Sequence, residues 1–190
     1  MRRFIGSREA KASASSAKAL LARARQSIAQ GRHAAAAELV SEALKSAPEN
    51  VELLRLRAEA WRCLGRYEAA LTDLDAVAGL QPGRAGPLVE RGDMKRHRYD
   101  FPGAIADAES ALALAEDPSA WVLKSECERS LGRYPDAVRS ASRAVKADGR
   151  WSWALVVRAK AKRWHGDLKG ALKDIAAARR LAPADPYPFG

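Results

Sequence analysis

An all-α chain built from stacked helix–turn–helix units is what this sequence predicts, and three observations predict it. A turn signature recurs on a fixed clock: Gly31-Arg32-His33, Gly65-Arg66-Tyr67, Gly132-Arg133-Tyr134 and Gly166-Asp167-Leu168, with steps of 34, 67 and 34 residues between the glycines. Helix-stopping residues keep the same time, since Pro48, Pro82 and Pro183 each follow a repeat glycine by 17 residues, with Gly149 at that place in the fourth unit. Ala and Leu dominate over Val and Ile, a balance that favours helix because Ala loses no side-chain entropy there and Leu little.

Taken in order, the units run 17–50, 51–84, 85–117, 118–151 and 152–185. The 67-residue gap hides a third turn, Tyr99-Asp100-Phe101, with one residue deleted nearby and Pro118 out of register. Each second helix opens on an apolar or aromatic residue: His33, Tyr67, Phe101, Tyr134 or Leu168. Each then carries residues spaced by four and three: Ala36/Val40/Ala43, Ala70/Leu74/Val77, Ala104/Ala108/Ala111, Ala137/Ala141/Ala144 and Ala171/Ile175/Ala178. That spacing aligns them on one helical face, and small side chains there let helices approach closely. Each first helix carries a large apolar anchor: Leu20, Leu54, Leu88, Trp121 or Leu155. A hairpin of this size cannot bury its apolar face alone, so neighbours must stack into a continuous core.

Period, turn, alanine positions and terminal proline together resemble the tetratricopeptide repeat (TPR). The likeness covers five units and departs at one place. Where the family carries a Leu-Gly pair in the first helix, this chain reads Arg23-Ala24, Arg57-Ala58, Arg91-Gly92, Lys124-Ser125 and Arg158-Ala159. The resemblance implies a right-handed α-solenoid that acts as a protein-binding scaffold, with first helices lining a concave groove. The family's groove positions fall here on Arg25, Arg55, Glu59, Arg62, Asp93, Arg96, His97, Glu126, Arg129, Trp153, Val156, Lys160, Arg163 and Trp164. In three units an acid precedes an arginine by three residues: Glu59–Arg62, Asp93–Arg96 and Glu126–Arg129. These pairs read either as a solvated, self-neutralised face or as a charge pattern that grips a polar peptide. The family's carboxylate-clamp subtype is not matched, since Leu21, Arg25 and Glu59 stand where it wants Lys, Asn and Asn.

Charge is uneven along the array. The chain has 33 basic and 23 acidic residues, for a net +10. The fifth unit holds eight basic and three acidic residues, the third four and seven. An acidic protein or peptide partner is therefore expected near the C-terminal units, where Lys160 and Arg163 have no acid beside them and Trp153 and Trp164 flank them. The alternative for the two tryptophans is packing against a further unit. Nucleic acid or another polyanion is the competing partner, weakened by the acids interleaved through the middle. A third possibility is a non-catalytic part of a larger enzyme. Arg57, Arg91 and Arg158 stand 16 residues before Asp73, Asp107 and Asp174, which predicts structural ion pairs between the two helices of a hairpin.

Several classes lack support. No Gly-rich phosphate loop is present, and His33, His97 and His165 join no recognisable catalytic set. No cofactor and no metal site are expected. Cys63 and Cys127 form no C-x-x-C pair and read as small packing residues, in a reducing and cytoplasmic setting. No run approaches a bilayer-spanning length. Residues 1–16 read as a flexible basic segment. Residues 186–190 read as the start of a sixth unit, so the chain is expected either to belong to a longer protein or to self-associate through that edge.

Overall fold

The computed structural model describes residues 19–183, all of whose regular elements are helices. The expectations for residues 1–16 and 186–190 lie outside the described residues. The chain divides into two compact units, Met1–Pro82 and Gly83–Gly190. The first contains α1 (19–29), α2 (His33–Ser46), α3 (Val51–Cys63) and α4 (Tyr67–Leu80). The second contains α5 (Ala85–His97), α6 (Phe101–Leu114), α7 (Pro118–Ser130), α8 (Tyr134–Ala147), α9 (Ser152–His165) and α10 (Leu168–Leu181).

Helix starts are set by local chemistry. Asn50, Asp100, Asp117 and Asp167 accept a backbone N–H of the first turn of α3, α6, α7 and α10, which satisfies one of the orphan donors there. The missing residue of the third repeat comes out of the link between α6 and α7, which is 115–117, against 148–151 between α8 and α9. The hairpin turns need a left-handed residue. Gly31, Gly65, Gly132 and Gly166 supply it with φ of 71°, 70°, 75° and 94°. In the α5–α6 turn Tyr99 takes the glycine's place at φ 63° and is 80% exposed. A left-handed non-glycine residue costs about 1–2 kcal/mol, and the edge contact of Tyr99 with Phe101, 6.1 Å between ring centroids, offsets only part of it. Tyr99→Gly is therefore expected to stabilise the chain by about 1 kcal/mol, read as a higher urea midpoint. An unchanged or lower midpoint would show that the ring contact outweighs the backbone strain.

The alanine faces are the core. Ala36, Val40, Ala43, Ala70, Leu74 and Val77 are buried in the first unit, and Ala104, Ala108, Ala111, Ala137, Ala141 and Ala144 in the second. In the first unit Val40, Ala43, Leu53, Leu54 and Val77 join Ala24 in one cluster. In the second, Ala104 and Ala108 pack on Leu123 and Cys127, and Ala141 and Ala144 pack on Val122, Ala154 and Val157. Gly92 marks the closest approach. A Cβ there would come within 2.7 Å of Leu123 Cδ2, 3.1 Å of Asp107 Cβ and 3.2 Å of the Ala104 carbonyl. Cys127 is a packing residue, as expected, and burial pushes its thiol up to about 12, so it is no nucleophile at neutral pH. Cys63, by contrast, is exposed at the end of α3. On α10, Leu168, Leu172 and Leu181 are exposed.

The arginines that replace the family leucine are tied down inside the hairpins. Arg57, Arg91 and Arg158 each grip Asp73, Asp107 and Asp174 with two parallel bonds, Nε to Oδ2 at 2.8–3.0 Å and Nη2 to Oδ1 at 2.6 Å. Lys95 and Lys162 add a second cation to Asp107 and Asp174 at 2.8 Å. These pairs hold together the two helices of a hairpin, α3 to α4, α5 to α6 and α9 to α10.

Candidate functional site

In the first unit the first helices α1 and α3 flank an open depression of about 570 Å³. Its apolar floor is Ile28, Val51 and Leu56, and its rim carries Arg25, Glu52, Arg55 and Glu59. Arg25 pairs with Glu52 across the two helices, and Arg55 Nη2 donates to Gln81 Oε1 at 3.4 Å. Arg25, Arg55 and Glu59 are thus brought together as the repeat positions imply. Glu52 belongs with them and was readable, because it holds the same repeat position as Trp153. Arg62 lies on α3 at partial exposure and outside this depression.

In the second unit α7 packs against both α5 and α9. Arg96 Nη2 donates to Asp93 Oδ1 at 2.7 Å, and its Nε stands 3.8 Å from Glu126 Oε2 on α7. His97 Nε2 lies 3.5 Å from Asp93 Oδ2. Burial opposes the charge on Arg96, yet the carboxylates of Asp93 and Glu126 outweigh it and hold the guanidinium above its ordinary value. Asp93, Arg96, His97 and Glu126 are therefore one pre-engaged cluster.

Two of the three expected acid–arginine pairs along a helix do not form. Glu126 turns to Arg96 of α5 and leaves Arg129, and Glu59 leaves Arg62. An exposed pair of this kind gains only about 0.2–0.5 kcal/mol, too little to fix two long side chains. Arg96 differs because it is desolvated between α5 and α7.

The consequence is a set of cations without an acid. Among the described residues Arg129, Lys160 and Arg163 have no carboxylate partner. Lys160 Nζ sits over the Trp153 ring at 4.7 Å from its centroid, an attraction that leaves its other donors for a ligand. Trp153 itself packs partly buried against Leu155 and Ala178. Trp164 is 52% exposed, stacked on Tyr134 of α8 with centroids 5.9 Å apart, and Arg163 lies over its other side at 5.8 Å. Val156 is a correction. It is 3% exposed and packed with Leu155 and Ala178 of α10, so its side chain cannot reach a partner.

One hairpin breaks the interhelical rule. In α7–α8 the aspartate position is Ser140 and the arginine position is Lys124, which turns to Glu109 of α6 at 2.7 Å. The acid has moved to Glu128 on α7, 6% exposed, whose Oε2 accepts from Ser140 Oγ at 2.7 Å. Burial pushes the Glu128 carboxyl up, against the Ser140 bond. The native state thus holds its proton more tightly than the unfolded chain. Stability from this group is highest at pH below the ordinary carboxylate range, falls as pH rises through the raised native value, and stays reduced above it. Glu128→Gln removes the charge and keeps the Ser140 bond. It is expected to raise stability at pH 7 by about 1 kcal/mol, with the gap closing at pH 4, measured by thermal denaturation. A variant less stable at pH 7 would contradict this account.

Among the described residues no group of His, Cys, Asp or Glu could hold a metal ion, and no helix is long and apolar enough to cross a membrane. The Tetratricopeptide repeat family model matches residues 21–85 and 98–150, more than half of the chain. Over 186 residues the chain is 24% identical to the tetratricopeptide repeat and J domain-containing co-chaperone DNJ1 of Cryptococcus neoformans, covering 90% of this chain and 35% of that protein. It is 25% identical over 178 residues to the protein of the same name from Fusarium oxysporum, covering 89% and 34%. The chain therefore spans about a third of the length of these curated relatives. Its fold is similar to TTC0263, a thermophilic TPR protein of Thermus thermophilus, with a TM-score of 0.72 at 22% identity over 89% of this chain and 93% of that one. With the paired helices, the buried alanine faces and the left-handed hairpin turns, these matches place the chain in the tetratricopeptide repeat family.

Proposed function

We propose that this chain is a non-catalytic adaptor that takes an acidic peptide or protein segment on the first-helix face of its C-terminal unit. Tetratricopeptide repeats are protein-interaction modules, and a protein-interaction scaffold is the class to which the chain belongs. The finer reading rests on one observation. On α7 and α9 the cations Arg129, Lys160 and Arg163 have no acidic partner, beside the half-buried ring of Trp153. Elsewhere on the same row the acids are consumed by Arg96. Unpaired guanidinium and ammonium donors beside an aromatic face suit carboxylates carried on a peptide.

A polyanion is a less suitable occupant, because Asp93 and Glu126 stand on the neighbouring helices and repel a long run of phosphates. The relatives named as co-chaperones carry TPR units and a J domain; a role for this chain beside a chaperone is a proposal of the same kind. Affinity capture from a native extract, with a Lys160→Glu/Arg163→Glu double variant as control, tests the reading. Acidic partners retained by the parent chain and lost by the variant support it. Partners captured equally by both count against it.

A further inference from the structure

The α7–α8 hairpin carries a second polar depression, turned away from the row just described. On a helix of about 3.6 residues per turn, Lys124 and Glu126 of α7 point about 160° apart. Glu126 faces Arg96, whereas Lys124 lines a depression of about 470 Å³ bounded by α6, α7 and α8. This is the hairpin whose interhelical ion cluster is dissolved. In α5–α6 and α9–α10 an aspartate is filled by an arginine and a lysine. Here Ser140 replaces the aspartate, and Lys124 is drawn off to Glu109.

Two kinds of unfilled valence remain around that depression. Glu128 accepts from Ser140 through Oε2 only, and its Oε1 has no protein donor. Arg133 and Arg143 line the same depression, and neither has a carboxylate partner among the described residues. Arg143 instead leans on the Trp121 ring, 6.0 Å from its centroid, with Lys124 at 5.8 Å. Asp136 is already engaged by Arg139. The depression thus offers a carboxyl oxygen to one ligand group and free guanidinium donors to another. A peptide carrying an aspartate or glutamate supplies both, a backbone N–H for the first and a carboxylate for the second. A bare phosphate supplies only oxygens, and the three acids on the walls disfavour a polyphosphate.

We infer that the depression between α6 and α8 is a second peptide site, in which Glu128 and Arg143 together hold an acidic residue and its backbone. The chain then holds acidic segments on two faces of the same unit, one against α7 and α9 and one against α6 and α8. This goes beyond the first-helix reading and does not depend on it.

Amide and indole NMR separates the two. A blocked tetraglutamate peptide is titrated into the whole chain, with tetraglutamine and inorganic phosphate as comparison arms. The expected result is a saturable shift of the Trp121 indole N–H and the Ser140 amide with tetraglutamate and none with tetraglutamine. Arg143→Ala weakens it about tenfold or more, the loss of one charge-assisted contact, while distant amides keep their positions and certify the fold. Lys160→Glu/Arg163→Glu leaves these shifts in place and removes only those at the Trp153 indole. No saturable shift at Trp121 and Ser140 overturns the proposal, as does a shift that survives Arg143→Ala. Phosphate saturating the site as well as the peptide overturns it too, because Glu128 would then have no part in recognition.

Discussion

Asp174→Ala lowers the unfolding free energy by about 3–5 kcal/mol, the cost of removing one partner of a buried ion pair. Asp174 is 5% exposed, and both its oxygens are taken: Oδ1 by Arg158 Nη2 at 2.6 Å, Oδ2 by Arg158 Nε and Lys162 Nζ at 2.8 Å. Alanine leaves two cations facing each other inside the α9–α10 hairpin with no anion between them. Their side chains keep about a fifth of their surface in water, which relieves part of the cost and puts the expected value near the lower end. Burial acts to raise the pKa of Asp174, but the bonds from Arg158 and Lys162 overcome it and hold the carboxyl below its ordinary value. For a depressed carboxyl the stabilisation is full above the unfolded-state value and is lost as pH falls through the native one. The gap between parent and variant is therefore widest at neutral pH and shrinks in acid. Asp136→Ala is the internal control. Its pair with Arg139 is on the surface, and its loss costs under about 1 kcal/mol. Urea unfolding at pH 7 and pH 3.5 reads both, and equal losses for Asp174 and Asp136 would sink the distinction.

That ladder was readable from the chain because both of its ends are locked to the repeat. Arg57, Arg91 and Arg158 recur at one helix position and their aspartates 16 residues later, and stacking identical hairpins reproduces the same approach each time. The alanine faces were legible for the same reason. The fourth hairpin escaped because its acid moved one element back. A reading confined to the aspartate position stops at Ser140, whereas comparing Lys95 and Lys162 with Glu128 exposes the exchange. The pairing on the first-helix row was not legible. Whether Glu126 meets Arg129 on its own helix or Arg96 on the next depends on how deeply Arg96 sits between α5 and α7, a property of packing rather than of spacing. Val156 failed for a related reason. Its repeat position is a groove position, but the contact with Ala178 of α10 turns it into core.

Charge reversal at Lys160 and Arg163 is the functional change with the largest expected effect, a loss of about tenfold or more in affinity for an acidic segment. The reasoning starts from what the two side chains already do. Lys160 rests on Trp153 and Arg163 on Trp164, and neither is neutralised by a carboxylate among the described residues. Cation–ring contacts at exposed sites contribute about 0.5–1 kcal/mol, so the ring orients the cation without exhausting it. A ligand carboxylate then adds a charge-assisted bond worth about 1.5–3 kcal/mol to each cation it meets in a desolvated geometry, and much less at a wet rim. Reversal both removes the bond and sets like charges together, so the two variants combined fall well beyond the tenfold mark if the site is desolvated and near it if the site is wet. Stability discriminates the binding effect from damage to the fold. Arg163 is exposed and Lys160 half-exposed, so the double variant is expected to unfold within about 1 kcal/mol of the parent. Binding isotherms at two salt concentrations complete the test: a steeper salt dependence in the parent than in the variant identifies these two cations as the ones the acidic partner meets.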